Sequence, residues 1–182
     1  MISFNIGFLL LLLLSAAWHD IRSHRIPNVL VFPGAVVGVL SNAMLPQEMG
    51  GLGVLDSLAG LGVGLVLLLP LYLLRAMGAG DVKLMAMTGA FLGARGAISA
   101  LLCVLLAGGV LALGVAWRQG KLRGLLYNLK MLLFIGAAGG SMRDLPVVGN
   151  HPDSAAESVG KLPYGVAIAA GTMVYLGLAH WG

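Results

Sequence analysis

Charge is what this chain has least of. Only 10% of its 182 residues are Asp, Glu, Lys or Arg, whereas a soluble domain carries about 25% to keep its surface solvated. With 59% hydrophobic residues and a mean hydropathy of +0.96, so short a chain has too little interior to hide its apolar surface, and lipid must cover most of it. Cysteine is nearly absent too. Cys103 stands alone, which excludes an internal disulfide and any CxxC pair for zinc. It lies in the middle of an apolar run and reads as packing. His19, His151 and His180 are scattered at no ligand spacing, so no metal or cofactor is expected. Aromatic residues make up 7%, too few for a base-stacking platform, and nucleic acid is not an expected partner. A cleaved signal peptide is disfavoured as well. Ser15-Ala16-Ala17 imitates a cleavage site, but no Lys or Arg precedes Arg22, and a signal peptide opens on basic residues.

Glycine, in contrast, is plentiful at 28 residues, and small residues let membrane helices approach closely. A bilayer core needs roughly 20 apolar residues per helix. Phe4–Trp18, Val29–Leu45, Leu58–Leu74, Lys83–Gly93, Ala97–Trp117 and Pro163–Trp181 are the candidate spans. The sequence therefore predicts an all-α polytopic membrane protein of about six helices, one domain over residues 1–182. The fourth stretch is short, at about three turns. It reads as a half-span packed inside protein, or as a helix extended back through Gly80-Asp81. Pro33 and Pro70 fall within spans, which membrane helices tolerate. Threaded with the N-terminus outside, the chain puts Arg22, Arg25, Arg75, Lys83, Arg118, Lys121, Arg123, Lys130, Arg143 and Lys161 on the cytoplasmic side and only Arg95 outside, as the positive-inside rule wants. The C-terminus is then also outside. Pro46–Asp56 is an outer loop with Glu48, Asp56 and nothing basic. Gly124–Ala138, interrupted by Asn128 and Lys130, predicts an interfacial helix on the cytoplasmic side, another span being the alternative. Met142–Lys161 predicts a cytoplasmic loop.

Two of the seven acidic residues sit where a carboxylate is costly. Asp20 ends the first span and Asp81 lies between the third and fourth, so the threading brings both to the cytoplasmic boundary. Ionisable groups at membrane depth point to function. Carboxylates about 3 Å apart cannot both ionise easily and share a proton. The ionised member can take a proton from an attacking water while its partner donates to a peptide carbonyl. Gly78 and Gly80 flank Asp81 without a Cβ, so the backbone can unwind or admit an extended substrate. Plainer roles compete on the residues alone. Asp20 could cap a helix junction or pair with Arg22 or Arg25, and Asp81 could be a helix N-cap. Arg22, His24 and Arg25 read most simply as positive-inside anchors.

Three segments carry a resemblance. Asp20-Ile21-Arg22-Ser23-His24-Arg25-Ile26-Pro27-Asn28, Gly78-Ala79-Gly80-Asp81-Val82-Lys83 and Lys161-Leu162-Pro163-Tyr164-Gly165-Val166-Ala167 resemble, in order, the signatures of the type IV prepilin peptidases. The resemblance implies a polytopic aspartyl protease that removes the short basic leaders of prepilins and pseudopilins, typically after a Gly at the cytoplasmic boundary of the cell membrane. Asp20 and Asp81 would be its catalytic pair. Gly78, Gly80, Lys83, Arg22, Pro27 and Asn28 would support them, Lys83 and Arg22 by positioning the loops or tuning the pair. Pro27 and Tyr164 are expected to set helix entry geometry. Larger members also N-methylate the new amino terminus and carry a domain with paired CxxC motifs; a first helix starting at residue 4 leaves no room for it, so methyltransferase activity is not expected. The short form is similar to the peptidases of tight-adherence (Flp-type) pilus systems, and archaeal preflagellin peptidases share the motifs. Two readings from other classes compete. A proton or cation carrier would distribute acids through the membrane depth, yet spans two, five and six contain none. A secretion-assembly scaffold would keep the fold without the chemistry.

Overall fold

Backbone polar groups surrounded by lipid can be satisfied only within a helix or a closed barrel. The computed structural model, which describes residues 4–46, 51–73, 77–118 and 164–181, takes the first course. Its helices are α1 (Phe4–Ser23), α2 (Asn28–Met44), α3 (Val54–Leu73), α4 (Ala79–Arg118) and α5 (Tyr164–Trp181). Three contain stretches long and apolar enough to cross a membrane: Asn5–Ser23, Val54–Leu73 and Ala79–Val115. Asn28–Met44 and Tyr164–Ala179 are shorter apolar helices. Met1–Gly108 and Pro163–Gly182 form one compact unit and Gly109–Leu162 a second; of the second, residues 109–118 continue α4. The expected interfacial helix Gly124–Ala138 and loop Met142–Lys161 lie outside the described residues.

α4 explains the short fourth stretch. Its 40 residues would run about 60 Å if straight, twice the roughly 30 Å of a bilayer core. It breaks instead at Gly93, whose φ of 70° and ψ of 178° belong to a region essentially reserved for glycine. The first limb begins at Ala79, so the helix does extend back through Gly80-Asp81. Close approaches give the directions of the helices. Along α2, Gly34 faces Met87 and Gly38 faces Ala90 and Phe91, so α2 and the first limb run in parallel. Along α3, Gly60 sits against Gly89 and Gly93, and Gly64 against Met85, so α3 runs the other way. The second limb turns back. A methyl group added at Gly96 would meet Tyr175 Oη at 3.4 Å, one added at Gly108 would meet Ala167 Cβ at 3.7 Å, and Gly171 lies against the Val104 backbone. The two limbs of α4 are therefore antiparallel.

A helix interrupted in this way leaves carbonyls without partners, and side chains of other helices supply them. Asn42 Nδ2 donates to Ala90 O (2.9 Å) and Phe91 O (3.2 Å), while its Oδ1 accepts from Asn5 Nδ2 (3.3 Å) and Leu52 N–H (3.4 Å). Ser57 Oγ also donates to Ala90 O, and Asp56 Oδ1 accepts the Ala94 N–H that opens the second limb (3.4 Å). Asp56 thus belongs to the first turn of α3, not to the outer loop expected for it. At this end α1, α2, α3 and α4 are joined through side chains that interrupt otherwise apolar runs. The core between the two ends is apolar, built from Leu9, Leu13, Val31, Leu68, Leu84, Met85, Met87 and Ile168 among others.

Candidate active site

The other end of the bundle gathers described residues from each of the three sequence motifs. On α1 the buried apolar side chains are Leu9, Leu13, Ala16 and Ala17, a stripe at helical spacing, and its next member is Asp20, only 6% exposed. The carboxylate is buried because it continues the core face of its own helix. α1 does not stop at Trp18, as hydropathy suggests, but runs to Ser23. There Ser23 Oγ donates to His19 O (2.8 Å) and His24 adopts a left-handed φ of 48°, a common way to end a helix. Asp20 is accordingly in the last turn of α1, where the dipole disfavours an anion. Its compensation comes from elsewhere: Gly165 N–H, in the first turn of α5 and 145 residues along the chain, donates to Asp20 Oδ2 at 2.7 Å.

Asp81 is 8% exposed and sits in the first turn of α4. It is not the N-cap. Gly78 precedes the helix, and Asp81 Oδ2 reaches back to accept the Gly78 N–H at 3.0 Å, the acid's half of a capping box. The flanking glycines therefore serve a more specific purpose than flexibility. A methyl group at Gly78 would come 3.2 Å from Asp81 Oδ2, and one at Gly80 would come 3.2 Å from Ile26 Cβ, in the turn between α1 and α2. Both carboxylates lie at this end of the bundle: Gly80, beside Asp81, packs on Ile26 in the turn that follows α1, and Asp20 packs on Gly165, beside the half-buried Tyr164.

Of the other expected residues, some join this site and some do not. Pro27 is the residue preceding α2, with φ −68° and ψ 132°. Asn28, the first residue of that helix, accepts through Oδ1 from Lys83 Nζ at 3.1 Å, and Lys83 Nζ also lies 5.1 Å from the Phe32 ring centroid. Lys83 thus ties the start of α2 to α4 rather than reaching the carboxylates. Arg22 is exposed and stacks 4.5 Å from the Trp18 ring centroid, a membrane-interface arrangement for an amphipathic cation. Among the described residues no three His, Cys, Asp or Glu side chains gather into a metal-binding group. Gly165 was not foreseen as a site residue, although Pro163-Tyr164-Gly165 marks where α5 begins.

A family model described as the type IV leader peptidase family matches residues 7–113, which contain both aspartates and the first two motifs. No curated protein and no solved structure matches the chain. The chain belongs to the type IV leader peptidase family. It is a peptidase by family, and its apolar helices make it a membrane protein.

Proposed function

We propose that this chain is an aspartyl endopeptidase that removes the leader peptides of prepilins or pseudopilins at the cytoplasmic face of the cell membrane, with Asp20 and Asp81 as its catalytic pair. The observation that carries the reading is the burial of two carboxylates, from α1 and α4, at the same end of the bundle in a chain of the leader peptidase family. In this reading α1, α2, α3, the two limbs of α4 and α5 cross the bilayer in alternation, both termini are outside, and the aspartates lie at the cytoplasmic boundary. The substrates are those of a pilus or pseudopilus system.

The chemistry needs one proton between the pair. The ionised carboxylate takes a proton from a water as the water oxygen bonds to the scissile carbonyl carbon; the protonated partner gives its proton to the carbonyl oxygen. The tetrahedral diol then collapses. Its C–N bond breaks, the first carboxyl passes its proton to the leaving nitrogen, and the second recovers one from a diol hydroxyl. Both groups return to their starting states. Burial serves this by excluding bulk water from the charge that develops.

Co-expression with a candidate prepilin tests the reading. The wild type should shorten the prepilin on a gel, while Asp20→Asn and Asp81→Asn should each abolish the shift yet accumulate in the membrane at wild-type levels. Processing by either single variant at more than about one hundredth of the wild-type rate would remove that aspartate from the mechanism, since loss of a proton-transfer group typically costs on the order of 10²–10⁴-fold.

A further inference from the structure

Asp20 and Asp81 are held differently, and the difference assigns a role to α5. Each carboxylate has one oxygen on a backbone amide: Asp81 Oδ2 on Gly78, three residues away, and Asp20 Oδ2 on Gly165, 145 residues away. Asp81 is therefore oriented by its own helical turn and keeps its geometry as α4 moves. Asp20 has no such local support. Its own helix offers it the unfavourable end of a dipole, and the amide that satisfies it belongs to another helix. The contact also requires a glycine. A methyl group at position 165 would lie 2.8 Å from Asp20 Oδ2, 3.0 Å from its Cβ and 3.1 Å from its Cγ, so any side chain there displaces the carboxyl group as a whole.

We propose that Gly165 is a positioning residue of the peptidase site, whose amide and missing side chain hold Asp20 by Oδ2 so that Oδ1 faces the water and the scissile carbonyl. This rests on the assignment of Asp20 to hydrolysis. α5 is then part of the active site without contributing a reacting group, and Asp20 meets Asp81 in the right orientation only while the start of α5 is docked on the end of α1. The extensive packing of α1 on α5 keeps that docking in place. Hydrogen bonds of this kind, from a backbone amide to a carboxylate, are among the stronger ones available. A displacement of the order of 1 Å at a reacting group is enough to cost about a hundredfold in rate.

Two measurements on the purified full chain decide it, using a prepilin that the wild type processes. In Gly165→Ala, kcat should fall at least tenfold with KM within twofold of wild type, because substrate contacts are intact and only the reacting carboxylate has moved. Wild-type kcat in that variant overturns the proposal, as does a rise in KM at constant kcat. The second measurement is a thermal-unfolding cycle with Asp20→Ala, Gly165→Ala and the double variant. Asp20→Ala removes Oδ2 and Cγ, two of the three atoms the added methyl would strike, so the double variant should recover most of the Tm lost in Gly165→Ala. Strictly additive losses of Tm would mean that Gly165 serves something other than Asp20 and would also overturn the proposal. The cycle reads the contact whether or not the variant retains activity. Failure of Asp20→Asn to lose activity, with coupling intact in the cycle, would instead remove the peptidase role of Asp20.

Discussion

At the scale of single residues, the polar side chains of this chain do two kinds of work at opposite ends of the bundle. Asp20 and Asp81 are buried carboxylates, each resting on a backbone amide. Asn42, almost fully buried, makes four side-chain hydrogen bonds that join α1, the segment before α3 and the interrupted end of the first limb of α4. Hydrogen bonds between membrane helices average about 0.6 kcal/mol, so four sum to about 2.4 kcal/mol. Asn42→Leu, close in volume but without hydrogen-bonding capacity, should therefore lower unfolding stability in detergent by about 2 kcal/mol. An unchanged unfolding midpoint would show that water replaces the amide at no cost. The aspartates were legible in the sequence because a carboxylate at the edge of an apolar run is costly and conspicuous. Gly165 was not, because its contribution is an N–H that every residue but proline possesses. Only the fold reveals which amide lies 2.7 Å from Asp20.

At the scale of elements, glycine sets how closely the helices approach, and not every glycine matters. Gly60 and Gly62 lie a half-turn apart on α3. A methyl group at Gly60 would run into the backbone at Gly89 and Gly93, whereas one at Gly62 would meet nothing within 4 Å. Backbone cannot swing aside as a long side chain can, so Gly60→Ala has to push α3 from α4 and should cost about 1–3 kcal/mol, the range for overpacking. Gly62→Ala should be neutral, or stabilising by about 0.5–1 kcal/mol through helix propensity. Equal effects on the unfolding midpoint would argue against this α3–α4 crossing. The same element shows what hydropathy could read and what it could not. Each of the six apolar stretches expected from sequence overlaps a helix, two of them sharing α4, because continuous apolar character in lipid leaves the backbone no other partner. The boundaries moved, because helical hydrogen bonding does not end where hydropathy does: α1 continues five residues past Trp18, through Asp20. Lys83–Gly93 and Ala97–Trp117 read as separate stretches in the sequence. In the fold a single glycine at φ 70° makes the break, with Asn42, Ser57 and Asp56 taking up the orphaned groups.

At the scale of the whole molecule, function depends on where the two ends of the bundle lie relative to the membrane. The limbs of α4 run antiparallel, α3 runs against the first limb and α2 runs with it, so the helices alternate in direction as six crossings require. One end then carries Asp20, Asp81, Lys83 and the exposed Arg22 and Arg25, and the other carries the Gly93 break and the exposed Arg95. The proposed orientation puts the first end, with its excess of basic residues, at the cytoplasmic face, where a leader peptidase would meet proteins not yet exported. The prediction is specific. In a Cys103→Ala background, a single cysteine replacing Arg95 should react with a membrane-impermeant maleimide added to intact cells. A single cysteine replacing Arg25 should react only after the membrane is opened. Among the described residues Arg95 is the only Lys or Arg at the Gly93 end, so removing it reinforces the expected orientation rather than biasing against it. The reverse labelling pattern would place the aspartates outside, and with them any site for a cytoplasmic leader would be lost. Labelling of both positions from one side would mean an even number of crossings between them instead of the three that α2, α3 and the first limb of α4 supply, and the reversal at Gly93 would then occur within the protein without the first limb having crossed the bilayer.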